Sequence, residues 1–245
     1  MKIIDAHCHV GSGLMNGLDA GLLLERMDAS GVDQAVLVPW DQAIAVYNED
    51  GNRHVLELVK RYPERFLAFC TVNPWYGTKA LEELRRARAL GASGLKLHPV
   101  YQGFQISDPI VIPVLEEAVR LQMPVYIPTG TPVAAMPLQL KYVAGLFPEA
   151  LFIQGHFGST DFWIDAVPSI TDSPNIYIDT AYSMVSSIEQ IIHLVGCERV
   201  VFSSDTPYLS LENEVAKLKD LDISEEEREA IASGNILRLL ERGAG

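Results

Sequence analysis

Cysteine is scarce in this chain. Its three cysteines, Cys8, Cys70 and Cys197, are odd in number, far apart and set in or beside apolar segments. That pattern excludes a disulfide framework and suits reduced thiols, so a cytoplasmic location is expected. No apolar run approaches the roughly 20 residues of a membrane span. Residues 1–11 carry histidines where a signal peptide needs an apolar stretch. Positive charge is in short supply too: the net charge is −13, which argues against nucleic acid or an anionic membrane as partner. No Gly-rich phosphate loop follows the first apolar segment, so a nucleotide-binding open sheet lacks its best marker. No linker, low-complexity tract or charge block divides the 245 residues, and one domain over 1–245 is expected.

What is present is a recurring unit. Hydrophobic residues make up 48% of the chain, ample for a core. Short apolar runs predict strands at Lys2–Ala6, Gln34–Val38, Phe66–Thr71, Gly94–His98, Pro124–Ile127, Leu151–Gln154, Ile176–Asp179 and Val200–Ser203. Segments with 3.6-residue periodicity lie between them, such as residues 80–90 and 185–195. Strands begin roughly 25 to 32 residues apart, the length of one strand-helix unit. Their lack of polar alternation indicates burial on both faces, as in a parallel sheet. Gly31 and Gly91 stand where helix C-caps belong, and Ser224 with Glu227 forms a capping box. Eight such units predict a single closed (β/α)8 TIM barrel whose active site lies at the C-terminal rim of the strands.

The six histidines divide into two groups. His54 and His193 fall in helical stretches and read as solvated or packing residues. His7, His9, His98 and His156 all fall at C-terminal strand ends. His7 and His9, spaced by two, share a strand face, and two imidazoles converging on one point make half of a divalent-metal site. Closure makes the eighth strand a neighbour of the first, which brings Asp205 beside them. Lys96 shares a face with His98. Trp40, Trp75, Tyr101, Phe104, Phe157 and Tyr208 fall in rim loops and could line a small apolar pocket.

Together these pieces resemble the amidohydrolase superfamily of metal-dependent hydrolases, in the branch that includes aminocarboxymuconate-semialdehyde decarboxylase-like proteins and related lactone hydrolases. The resemblance rests on Asp5-Ala-His-Cys-His9, Arg61-Tyr-Pro-Glu-Arg-Phe66, Gly94-Leu-Lys-Leu-His-Pro99 and Pro124-Val-Tyr-Ile-Pro-Thr-Gly-Thr-Pro132. It continues through Gln154-Gly-His-Phe-Gly158, Ser203-Ser-Asp-Thr-Pro207 and Gly234-Asn-Ile-Leu-Arg-Leu-Leu240. It implies a barrel with one divalent ion held by the first-strand His pair and Asp205. One position departs from it: relatives carry a metal-binding histidine in the fifth strand where this chain has Pro128. His98 and His156 are the available replacements.

The expected metal ligands are therefore His7, His9, Asp205 and His156, with zinc as the leading ion and manganese as the alternative. Asp205, His156 and His98 are the expected catalytic groups, Lys96 the substrate-binding one, and Asp5 an orienting partner of the first strand. The leading reading is hydrolysis of a small ester, lactone or amide by metal-activated water, with Asp205 as base. The alternatives are non-oxidative decarboxylation of an unsaturated or aromatic carboxylate at the same site, and a degenerate, non-catalytic barrel that binds a metabolite. A small-molecule substrate is common to the enzymatic readings, and a homo-oligomer is compatible with all of them.

Overall fold

Apolar, β-rich segments of the sequence pair into one sheet in the computed structural model, which describes residues 1–13 and 17–242. The strands are β1 (Ile4–Ser12), β2 (Gly17–Leu18), β3 (Gln34–Pro39), β4 (Phe66–Thr71), β5 (Gly94–Lys96), β6 (Val125–Pro128), β7 (Phe152–Gly155), β8 (Ile176–Asp179) and β9 (Val200–Val201). Their order is β2-β1-β3-β4-β5-β6-β7-β8-β9, and all neighbours are parallel except the short β2, which is antiparallel to β1. The expected eight parallel strands are all present. The sheet curls as a half-barrel, in keeping with a (β/α)8 arrangement. Backbone hydrogen bonds also join β1 to the chain after β9: Ala6 N–H donates to Phe202 O at 3.0 Å, Asp205 N–H to His7 O at 3.0 Å, and His9 N–H to Thr206 O at 2.8 Å.

The curl sorts alternate strand residues between two cores. Ala35 and Leu37 face the helices, whereas Val36, Val38, Ile4, Ala6, Phe69, Tyr126, Ile153 and Val201 pack inside the curl, joined by Ile236 and Leu239 of the last helix. Large inner rings are matched by glycines on the next strand. A Cβ on Gly155 would overlap the ring of Tyr126, so that ring can lie across β7 only because position 155 has no side chain.

Several elements differ from the sequence expectation: β5 stops at Lys96, leaving His98 to cap the next helix, and β9 stops at Val201, short of the expected Ser203. The first strand does not stop at Ala6 but runs to Ser12, with a shift in register against β3 between Asp5 and Cys8. The extension has partners on both sides, β3 and residues 202–206, and those bonds outweigh the weak strand character of a histidine-rich segment. The last helical stretch is also broken. The Ser224–Glu227 capping box forms as expected, but Glu225–Glu229 passes through a π-helical turn at Ala230–Gly234 before Asn235–Arg242. Other caps follow the sequence. Asp19 accepts the N–H groups of Gly21 and Leu22 at the start of Ala20–Ser30, and Gly31, at φ 74°, closes that helix in the left-handed conformation glycine favours. No helix among the described residues is long and apolar enough to cross a membrane.

Candidate metal centre

The middle of β1, the end of β5 and the segments after β7 and β9 bring His7, His9, Lys96, His156 and Asp205 into one cluster, with Asp205 at its middle. Its Oδ1 lies 2.9 Å from His7 Nδ1, 3.3 Å from His9 Nε2 and 3.6 Å from His156 Nε2. These contacts are not ordinary hydrogen bonds. Although buried, His7 Nδ1, His156 Nε2 and Asp205 Oδ1 have no hydrogen-bond partner with acceptable geometry. For His9 the tautomer can be assigned: Nδ1 lies 3.1 Å from Pro39 O, and a carbonyl only accepts, so Nδ1 carries the proton. In the neutral ring Nε2 then presents a lone pair toward a carboxylate oxygen. Buried acceptors facing one another are costly unless a cation lies between them.

That arrangement fits a divalent ion. Bonds of about 2.0–2.2 Å to nitrogen and oxygen place neighbouring ligand atoms about 3 Å apart, close to the spacings around Asp205. His7, His156 and Asp205 form a group whose ligand atoms all lie within 4.8 Å of one another. His9 approaches Asp205 but falls outside that tighter group.

Buried hydrogen bonds hold this cluster in place. Asp5 accepts the backbone N–H groups of His7 at 3.1 Å and Ser204 at 2.9 Å, together with the Cys8 thiol and the Ser204 hydroxyl. One carboxylate thus ties β1 to the segment that carries Asp205. Burial raises Asp5 to about 6, against these hydrogen bonds, which favour the charged form. On the other side Asp179, at the end of β8, accepts the Tyr126 hydroxyl at 2.6 Å and the backbone N–H of His156 at 2.8 Å. Tyr126 in turn stacks on His7, with ring centroids 4.2 Å apart. His156, Tyr182 and Asp205 all have positive φ, at 65°, 58° and 53°. Non-glycine residues seldom adopt that conformation, and it costs of order 1–3 kcal/mol at each.

The charge states follow from burial and neighbours. Burial pushes the Asp205 carboxyl up, but the imidazoles of His156, His7 and His9 close to it override that and hold the group well below the usual carboxylate range. Burial, and then the Lys96 charge, lowers His7 well below the ordinary histidine value, so its ring is neutral. Burial brings Lys96 down to about 7 against the pull of Asp205 and Asp179. His98 is likewise held low by burial, then by Lys96.

Above the cluster is a cavity of about 80 Å³ whose walls include His9, His98, Tyr101, His156, Tyr182 and Tyr208, with Asp205 at its base. His98 is therefore in the site wall but apart from the metal-type group. Its Nδ1 accepts the N–H of Tyr101 at 3.3 Å and its ring stacks on Tyr101. Lys96 is placed differently from the substrate-binding role expected of it. It is fully buried, and its Nζ lies 2.8 Å from His7 Nε2 and 4.1 Å from the centroid of the Tyr126 ring. Its amine is engaged behind the cluster and does not reach the cavity wall. Pro128 is buried at the end of β6 and offers no ligand, and among the replacements His156 stands nearest Asp205. His54 and His193 are exposed on helices, as read from the sequence.

Tyr126, Asp179, Tyr182 and Ser204 were not singled out by sequence. A signal existed for two of them: Asp179 ends a strand as Asp205 follows one, and Tyr126 shares a strand face with Pro128.

A curled parallel sheet carrying an Asp–His cluster that could hold a metal ion defines an α/β protein of enzyme type. The chain belongs to the amidohydrolase family, whose family model, described as Amidohydrolase, matches residues 4–242. Solved structures share the fold. A 5-carboxyvanillate decarboxylase from Sphingomonas paucimobilis is 16% identical with a TM-score of 0.81, covering 98% of this chain and 99% of that one. An uncharacterized TIM-barrel protein from Bordetella bronchiseptica is 20% identical with a TM-score of 0.82, covering 100% of each chain. A dihydroxybenzoic acid decarboxylase from Polaromonas sp. JS666, with bound manganese and the inhibitor 2-nitroresorcinol, is 17% identical with a TM-score of 0.76, covering 98% and 97%.

Proposed function

We propose that this protein is a metal-dependent, non-oxidative decarboxylase of a small aromatic or unsaturated carboxylate, built as one (β/α)8 barrel over residues 1–245 and closed by the bonds between β1 and residues 202–206. The observation that carries the reading is the meeting of unpartnered imidazole nitrogens and the Asp205 carboxylate at the base of a cavity walled by imidazoles and phenols. Hydrolysis of an ester or lactone at the same residues is the second reading. The family's fold serves both chemistries, and the relatives named as aromatic-acid decarboxylases favour the first.

His7, His9, His156 and Asp205 would hold the ion, with manganese placed before zinc because a related structure carries it. When bound, the ion supplies positive charge that orients a carboxylate with its neighbouring hydroxyl and stabilises developing negative charge. Asp205 is ionised at neutral pH, so it takes the proton from that hydroxyl as the substrate docks and passes it to the ring carbon bearing the carboxylate. The bond from that carbon to the carboxylate then breaks, CO₂ leaves, and the electron pair returns to the ring as phenolate. A solvent proton neutralises the product. His98 and His156 flank the path of that proton from the cavity wall. Lys96 and Tyr126 keep the His7 ring oriented from behind and below.

The test is to assay manganese-loaded and zinc-loaded protein with 2,6-dihydroxybenzoate and 5-carboxyvanillate for CO₂ release, beside a panel of small lactones and esters. Release of CO₂ is the expected result. Lactone or ester turnover without CO₂ release would replace this reading with hydrolysis.

A further inference from the structure

The cavity over Asp205 is too small for the substrate class proposed above. Its volume is about 80 Å³, whereas a cavity of about 150 Å³ is what takes up a single benzene ring. Two side chains from distant parts of the sheet limit it. Tyr101 follows β5 and Tyr208 follows β9, four places away in the strand order, yet their hydroxyls meet at 3.4 Å. Each ring is seated on a residue of the site. Tyr101 lies flat on His98, with centroids 3.8 Å apart and planes at 4°. Tyr208 stacks on Trp40 at 5.6 Å and meets His9 edge-on at 5.3 Å. Both tyrosines are 40% exposed, so they face the cavity on one side and solvent on the other.

We propose that Tyr101 and Tyr208 form a latch across the mouth that determines substrate size. A one-ring hydroxyaryl acid enters only when the two hydroxyls part, and a small acid enters without parting them. The proposal rests on the decarboxylase reading for the identity of the acid, but not for the existence of the latch. A bond between two half-exposed hydroxyls is cheap to break, because water replaces it at once, so the open state is a minor population reached readily. The flat Tyr101–His98 stack and the phenol edges then suit a planar ring with hydroxyl substituents, and less well a branched aliphatic acid. Among the described residues, no arginine borders this cavity, so recognition of the acid falls to the metal group and to phenol and imidazole hydrogen bonds.

Removing either hydroxyl while keeping its ring tests the idea. Tyr101→Phe, Tyr208→Phe and the double variant are mixed in stopped flow with two probes, 2,6-dihydroxybenzoate and the three-carbon acid propenoate, each on manganese-loaded protein. Loss of one weak hydrogen bond should raise the association rate of the ring acid by about 2- to 5-fold. The double variant should rise no further than either single one, since all three remove the same bond. The propenoate rate should not change. Equal acceleration of both probes, additive single effects, or no acceleration of the ring acid would each overturn the latch.

A second measurement does not depend on any substrate. Trp40 is only 3% exposed and lies under Tyr208. In a Trp75→Phe, Trp163→Phe background it is the sole tryptophan of the three in the chain, and its quenching by acrylamide reports how often Tyr208 swings away. Adding Tyr101→Phe should raise the quenching constant, and an unchanged constant refutes the latch. If wild-type protein binds no ring acid, the decarboxylase reading fails, and the quenching experiment decides the latch by itself.

Discussion

Asp179 holds His156 by its backbone: one carboxylate oxygen accepts the His156 N–H at 2.8 Å, and the other is occupied by the Tyr126 hydroxyl at 2.6 Å. The imidazole that faces Asp205 is therefore aimed from the main chain of a residue at φ 65°. Asp179→Ala removes both acceptors, so the His156 N–H and the Tyr126 hydroxyl both lose this partner. Metal affinity, measured by isothermal titration, should fall about 10- to 100-fold, as for other partners that orient ligands, while far-UV circular dichroism stays native-like. Unchanged affinity would leave Asp179 as a core residue with no bearing on the cluster.

The double change His7→Ala, His9→Ala should abolish bound metal, read by elemental analysis of protein purified without chelators. Both imidazoles face Asp205 Oδ1, and the variant leaves that carboxylate with His156 as its one remaining imidazole neighbour. Full metal stoichiometry in the folded double variant would exclude these residues as ligands.

His156 and His98 should separate cleanly. His156→Ala is expected to weaken metal binding at least about 10-fold, because its Nε2 belongs to the convergent group. His98→Ala should leave metal affinity within about 2-fold and instead lower turnover, as its nitrogen is committed to the Tyr101 backbone. The reverse pattern would move the replacement for the ligand absent at Pro128 from His156 to His98.

Asp205→Asn removes charge and proton-accepting ability with little change of shape. With the substrate in hand, kcat should drop about 100-fold or more, the scale of a lost general acid–base group, and some metal should remain on the histidines. Wild-type kcat on metal-replete protein would make Asp205 structural.

Away from the site, burial raises Glu214 to about 7 despite the nearby Lys217. A carboxyl whose folded pKa lies above its unfolded value contributes stability below about pH 4.5 that is lost as the pH rises through 7. Urea unfolding of wild type should therefore show a loss of about 1–2 kcal/mol between pH 4.5 and 8 that Glu214→Gln lacks. That figure is discounted from the full linkage because the group is partly screened. Parallel pH profiles for the two proteins would contradict the assignment.

Much of this architecture was legible because burial on both faces leaves a strong mark on sequence. Every parallel strand was anticipated as an apolar run, and the meeting of His7, His9, His156 and Asp205 followed from the order of the strands that carry them, although His7 and His9 lie within β1 and not at its end. What stayed hidden depends on cross-strand geometry. The extension of β1 past Ala6 is set by partners at Pro39 and Thr206, which no local propensity encodes. Tyr126 and Asp179 find each other 53 residues apart, and Tyr101 meets Tyr208 across 107. Lys96 ends β5 while His98 lies beyond the strand as the cap of the next helix, so the two do not share a strand face, and the lysine reaches His7 instead, which spacing alone does not encode. The left-handed backbone at His156, Tyr182 and Asp205 carries no glycine or asparagine to announce it.

The Asp5 carboxylate that grips Ser204 bridges 199 residues of chain. A ribosome must release more than four-fifths of the polypeptide before the two halves of the metal cluster can meet. Until then His7 and His9 stand without Asp205 and His156, and the final units supply both the last strand and the carboxylate that completes the cluster. Under the proposed ligand set, metal uptake would be deferred to the end of synthesis, and an ion that binds only the finished cluster would add its binding energy to complete chains and none to prematurely terminated ones.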